Sequence, residues 1–362
     1  MSASEARIRA PLSSRRGAGD NRPRRGTRLA NALRLSLGIA VSLGCLYFAT
    51  QGTDWSQVGA VLQQARPAWL VVVVVATLAT VYIRAQRWRI LLRPLGDVPL
   101  YPVLSATAIG FGASSVLPFR LGEFVRPALL GRRAGVSMSG ALSSVVIERL
   151  FDMLLVIGCF LAVSLIYPEV PPNMRRGAFV LAALAALGFG VLLLMQRHRE
   201  RSEAILERLI RLLPERLARR LRPLVASFMN GLGGLADAST VLLVLWYSAY
   251  LWGVITLTFL FSFLALPFGS HIPLVAASLT TVVIVAAAVF LPQAPGYVGT
   301  WQAGCVLALG LFGVSKEVAI GYSLLSWIVQ MGTNIGVAGI FLAREDISLA
   351  QLLRVAERGT GA

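Results

Sequence analysis

The sequence predicts an all-α polytopic integral membrane protein, and three observations carry the prediction. The chain is 56% hydrophobic and 14% charged, with a mean hydropathy of +0.71, where a soluble domain carries about a quarter charged residues. Several apolar runs approach or exceed the roughly 20 residues that a helix needs to cross a bilayer. Those runs are continuously apolar instead of alternating over about ten residues, which argues against a transmembrane β-barrel.

Taken in order, residues 1–34 hold nine arginines among Gly, Pro and Ser. That composition is expected to form a disordered basic arm on the cytoplasmic side. Two motifs in this region are decoys. Ser14-Arg15-Arg16 is a poor twin-arginine match and Ser42-Leu43-Gly44-Cys45 a loose lipoprotein-like site, and both lie too far behind a long polar stretch to act as a signal peptide.

Spanning helices are expected at about 35–50, 68–85, 143–167, 177–196, 239–264, 272–291, 300–314 and 318–342, about eight in all. Together they make one membrane domain over 35–345, followed by a short cytoplasmic tail at 346–362. The poorly charged loop 51–67 belongs outside, and Arg84, Arg87, Arg89 and Arg93 at the cytoplasmic end of their helix. Both termini are then cytoplasmic.

The apolar segment 100–118 breaks this order. If it crossed fully, Arg120, Arg126, Arg132 and Arg133 would lie outside, against the positive-inside trend. A re-entrant segment that breaks at Pro118 and returns keeps them cytoplasmic. Such backbone is tolerated at membrane depth only when buried in protein or lining a watery cavity. Residues 197–222 hold nine arginines and four glutamates interleaved with Ile205, Leu206, Leu209, Ile210, Leu213 and Leu217. They predict an amphipathic basic helix, within a segment 197–237, lying flat on the cytoplasmic surface.

One internal echo points to a repeat. Leu117-Pro118-x-x-x-Gly122 and Leu291-Pro292-x-x-x-Gly296 both follow apolar helices, and matched Pro/Gly breaks in two halves of a transporter mark its binding site. A second re-entrant segment is therefore open at 292–314.

The net charge of +17 comes from 34 basic against 17 acidic residues, with Lys316 the only lysine. Arginines at the ends of apolar runs orient the chain and meet anionic headgroups; no recognition motif points to nucleic acid. Cys45, Cys159 and Cys305 are scattered through apolar runs, and His198 and His271 are isolated, so no metal site is expected. No nucleophile-with-base pair, Walker loop or ATPase signature is present. Neither enzymatic activity nor a cofactor is expected.

The chemistry concentrates in charges between apolar stretches. Arg120 and Arg126 flank Gly122-Glu123; the planar guanidinium suits bidentate phosphate binding, and Gly122 permits close backbone approach. Glu148, Arg149 and Asp152 share one helical arc inside the next span. Charges at that depth usually pair or line a pathway. The acids are expected to hold Arg120, Arg126 or Arg149 while the surplus guanidinium meets an anionic headgroup. Pro292, Pro295, Gly296 and Gly299, followed by Trp301 and Gln302, would free backbone N–H groups at a helix N-terminus, which favours an anion. Gly332-x-x-x-Gly336 with Asn334 is expected to serve helix packing.

Two blocks resemble a known family. Ser114-Ser-Val-Leu-Pro-Phe-Arg-Leu-Gly-Glu-Phe-Val-Arg126 with the following Glu148-Arg149-x-x-Asp152, and Pro292-x-x-Pro-Gly-Tyr-Val-Gly-Thr-Trp-Gln302, are similar to the flippase-like transmembrane domain of lysylphosphatidylglycerol synthases. The resemblance covers about residues 35–345. It maps the family's Pro-x-Arg-x-Gly-Glu-x-x-Arg block onto Pro118, Arg120, Gly122, Glu123 and Arg126. Family members often carry Asn near Ser114 and Ser115 and Glu in place of Gln302, so those two side-chain roles do not carry over.

The bifunctional synthases add a soluble aminoacyl-transfer domain, and no such domain is expected after residue 345. The resemblance therefore implies a stand-alone member that moves or handles lipid. The expected function is nucleotide-independent flipping of an anionic phospholipid or polyprenyl-phosphate-linked lipid across a bacterial inner membrane. The alternative is a non-transporting lipid-binding accessory protein for a glycosyltransferase or envelope-lipid enzyme. Membrane lipid is the expected partner; a second copy of the chain and an envelope-biosynthesis enzyme stay open as protein partners.

Overall fold

The computed structural model describes residues 25–117, 122–166, 172–235, 237–268, 272–289 and 294–345, and all regular structure among them is helical. The expected cytoplasmic tail lies outside the described residues, as does most of the basic arm. Helix α1 (Arg25–Thr50) begins inside the stretch expected to be disordered; Ala30, Ala32, Leu33 and Leu35 are good helix formers that continue the apolar run backwards. Gly52, with φ of 69°, turns the chain after α1. The short α2 (Trp55–Gln63) is capped by Asp54, which accepts from the Ser56 and Gln57 amides. Those hydrogen bonds hold the Asp54 carboxyl below its usual range.

Among the described residues, three helices are long and apolar enough to cross a membrane: α3 (Pro67–Leu92) with the 3-10 turn that extends it, α10 (Ala238–Leu264) and α13 (Lys316–Arg344). Pro67 sits in the first turn of α3, where its missing N–H costs nothing. Asp237 caps α10 by accepting from Ser239 and Thr240, which lowers its carboxyl to about 2. Shorter apolar segments lie at Ser36–Thr50, Leu100–Val116, Ala182–Arg197 and Leu274–Val289. Outward-facing Val71, Val75, Leu184, Leu187 and Trp246 are exposed, as expected of surfaces that meet lipid. The membrane class and all-α fold expected from composition hold.

The chain reverses between its next two helices. Helix α4 (Leu100–Val116) runs about 25 Å at 1.5 Å per residue, and α5 (Gly122–Ala134) returns along it. A Cβ at Gly122 would lie 1.9 Å from the Gly110 carbonyl oxygen and 2.3 Å from Ser114 Oγ. Further along, the Arg126 stem covers Gly110, so the two helices are antiparallel and in near backbone contact. Val103, Ala106, Ile109, Val125 and Leu129 fill the seam.

A second short pair follows the other break: α11 (Leu274–Val289) and α12 (Thr300–Gly310), joined through the 3-10 turn Pro295–Tyr297. With 11 residues, α12 is about 17 Å long, too short for a bilayer core of about 30 Å. The segment 300–314 is thus a half-helix in place of the span expected there. The echo between the two breaks also has a spatial counterpart. A Cβ on Gly296 would lie 3.1 Å from the Ser115 carbonyl oxygen, so the ends of the two pairs meet.

Helix α6 (Met138–Ile166) crosses between these pairs, and α7 (Pro172–Arg197) packs beside it. The amphipathic segment is two helices and not one: α8 (Arg199–Arg211) and α9 (Glu215–Gly231), parted before Pro214. Proline disfavours helix at the residue before it. Glu207 joins the two by accepting from Arg222 at 3.0–3.3 Å and from Arg211 at 3.4 Å, and these bonds lower its carboxyl's pKa. The α9 end is anchored on α6, where Gly231 lies against Ser143. Gly332 and Gly336 do not serve packing among the described residues: both are exposed, with no atom within 4 Å of a built Cβ.

Candidate functional site

Three helices bring their charges together, and a fourth adds a hydroxyl. Arg84 and Arg87 come from the last third of α3, Glu123 and Arg126 from the start of α5, and Glu148, Arg149 and Asp152 from the first half of α6. Ser248 on α10 completes the set. The sequence places Arg84 and Arg87 near one end of a span without a partner, and the structure turns Arg87 inward. Arg87 is 0% exposed.

Arg87 bridges both acids of α6. Its Nη1 lies 2.6 Å from Asp152 Oδ1 and its Nη2 3.2 Å from Oδ2, a bidentate fork, and Nη2 is 3.0 Å from Glu148 Oε1. Nη1 also donates to Ser248 Oγ at 2.8 Å. Arg126 pairs its two terminal nitrogens with the two oxygens of Glu148 at 3.4 and 3.2 Å, and its guanidinium lies over the Trp88 ring at 4.4 Å.

Arg149 reaches Glu148 at 3.0 Å, Asp152 at 3.6 Å and Glu123 at 3.9 Å. Asp152 also accepts from the Trp252 indole at 3.1 Å. Glu148, buried completely, therefore serves three guanidiniums. A buried charge persists at this depth only with such partners.

Arg84 differs from the rest. Its guanidinium lies 4.6 Å over the Phe111 ring, yet it forms no ion pair within 4 Å among the described residues. It lines a cavity of about 190 Å³ together with Thr77, Thr80, Ser114, Glu123, Arg126, Arg149 and Asp152. The described cluster thus holds four guanidiniums against three carboxylates. The Nε–H groups of Arg87, Arg126 and Arg149 are also buried without an acceptor among the described residues.

The expected site residues divide accordingly. Glu123, Arg126, Arg149 and Asp152 line the cavity, and Glu148 stands behind them as the shared counter-ion of the two arginines. Gly122 is the close contact between α4 and α5. Pro118, Arg120 and Pro292 lie outside the described residues.

At the second break, Pro295 opens the 3-10 turn, and the Gly296 carbonyl accepts from Trp327 Nε1 at 2.6 Å. The Gly299 amide donates to Gln302 Oε1 at 2.7 Å. A Cβ on Gly299 would lie 2.0 Å from the Ser42 carbonyl oxygen. From this stretch Tyr297 and Trp301 are the residues that reach the cavity wall, and Tyr297 has φ of 61°, rare for a residue with a side chain. No group of three or more metal-ligating side chains occurs among the described residues.

The sequence reading missed Arg84, Arg87 and Ser248. A signal for the first two exists: Thr77, Thr80, Arg84 and Arg87 recur at three- and four-residue steps, one face of a helix. Comparison with known proteins adds one finding. A family model described as the lysylphosphatidylglycerol synthase TM region matches residues 35–336. No match was found among curated proteins.

Proposed function

The chain belongs to the lysylphosphatidylglycerol synthase transmembrane-region family, and from that premise we propose that it moves an anionic lipid between bilayer leaflets without nucleotide hydrolysis. The observation that carries this reading is Arg84. It is a cation without a carboxylate partner among the described residues, on the wall of a cavity inside helices that meet lipid.

The paired arginines fix the cluster's geometry, and the surplus cation supplies the attraction for a headgroup phosphate. Phosphate accepts charge-assisted hydrogen bonds from guanidinium groups, including those whose Nε–H groups lack an acceptor. The acyl or prenyl tails stay among the outward apolar faces. The short helices α4, α5, α11 and α12 on either side of the two Pro/Gly breaks leave room for a hydrated headgroup between them. This role is transport and not catalysis: no nucleophile or metal is required.

Native mass spectrometry of the protein extracted from membranes is expected to show a retained anionic lipid. Retention of zwitterionic or neutral lipids alone would contradict the reading. The setting we propose is a bacterial inner membrane with both termini and residues 122–134 on the cytoplasmic side. A single cysteine at position 132, in a background lacking Cys45, Cys159 and Cys305, should resist an impermeant thiol reagent in intact cells. Modification there would overturn the orientation.

A further inference from the structure

The arginines account for one part of the cavity lining. The part contributed by α10, α12 and α13 carries no charge: Trp252, Thr258, Phe259, Trp301, Gln330 and Asn334. Gln330 Nε2 is buried with no hydrogen-bond partner among the described residues, a costly state for a polar group unless a ligand supplies the acceptor. Asn334 lies four residues on, over the same helix face. Phe259 and Trp301 stack with ring centroids 5.5 Å apart. The indole N–H groups of Trp301 and Trp252 are already engaged by Ser326 and Asp152, so both offer the cavity apolar ring surface.

The cavity's acids are committed too. Asp152 is held by Arg87 and Arg149, and Glu123 lies beside Arg149. A cationic group extending beyond a bound phosphate would meet guanidiniums and neutral amides, with no carboxylate lacking an arginine partner. A hydroxyl-bearing group would find an amide donor without a partner, a second amide, and flat rings for its C–H faces.

We propose that the cavity takes an anionic lipid whose headgroup continues past the phosphate into a neutral polyol, and that Gln330 and Asn334 read that polyol. This rests on the anionic-lipid reading above and adds the headgroup class. It excludes an aminoacylated, cationic headgroup as the preferred cargo.

The test is competitive retention on the full chain in nanodiscs, with phosphatidylinositol, phosphatidylglycerol, phosphatidic acid and lysyl-phosphatidylglycerol of matched acyl chains. The two polyol lipids are expected to outcompete phosphatidic acid by about three- to tenfold, the range of a neutral hydrogen bond, and the lysyl lipid to bind most weakly. Q330L should bring the polyol lipids down to phosphatidic acid and leave phosphatidic acid unchanged. Q330E, which adds a carboxylate without an arginine partner, should raise the lysyl lipid instead.

Equal retention of the polyol lipids and phosphatidic acid overturns the proposal while the anionic-lipid reading stands, and a preference of the unmodified chain for the cationic lysyl lipid overturns both. Indifference to all four lipids sinks both. Displacement of bound lipid by soluble inositol phosphate at equal concentration would overturn the assignment to a lipid.

Discussion

Replacing Glu148 by alanine is expected to cost about 3–5 kcal/mol of stability, the range for breaking a buried ion pair. Glu148 is 0% exposed and receives Arg87, Arg126 and Arg149 together. Its removal leaves Arg126 with no carboxylate within 4 Å among the described residues, Arg87 on Asp152 alone, and Arg149 on Asp152 and the more distant Glu123. Thermal unfolding in detergent should show the loss. E148Q should fare only slightly better, because its amide turns a donor toward guanidiniums that have only donors to offer. D152N should cost less, since Arg87 and Arg149 keep Glu148. A Glu148 variant as stable as the parent would mean that the cluster is open to water and its charges are individually solvated.

The second large effect concerns binding and has the opposite stability signature. R84Q should reduce retention of an anionic lipid by roughly ten- to a hundredfold, corresponding to about 1.5–3 kcal/mol for hydrogen bonds to a charged group. The unfolding temperature should stay level or rise, because Arg84 has no carboxylate partner to strand. R84K should recover only part of the binding, since an ammonium does not reproduce the planar fork. R126Q makes the contrast. It should lose stability because the two hydrogen bonds that Arg126 gives the buried Glu148 go with it, so a binding loss there is not specific. Retention in R84Q equal to that of the parent would show that Arg84 does not meet the headgroup.

How far the sequence carries is clearest at individual residues. The arc of Glu148, Arg149 and Asp152 is legible because helical periodicity is local, and the return of the chain after Val116 is legible because four arginines would otherwise cross to the wrong side. Arg84 and Arg87 were not. The positive-inside trend explains an arginine near a helix end without asking for a partner, and the partners of Arg87 lie 61 and 65 residues away on α6.

The same holds for Gln302, which reads as a binding residue beside Pro/Gly breaks but spends its carbonyl on the Gly299 amide. Gly332 and Gly336 carry a packing motif on a face that packs against nothing described. The motif fixes spacing on a helix, and the direction of that face depends on helices distant in sequence. The expectation of one helix over 197–222 followed amphipathic periodicity and passed over Pro214, whose local effect on the residue before it divides α8 from α9.

The claim at the centre is passage of an anionic headgroup through the bilayer. Its most direct test is dithionite quenching of a fluorescent phosphatidylglycerol in proteoliposomes of the purified chain without nucleotide. The account predicts quenching that proceeds past the outer-leaflet fraction, is slowed by R84Q, and is slowed more by G122V than that variant's lipid retention is weakened. Quenching that stops at the outer leaflet, as in protein-free liposomes, across phosphatidylglycerol, phosphatidylinositol and polyprenyl-phosphate probes alike, would contradict transport and leave a protein that binds lipid without moving it.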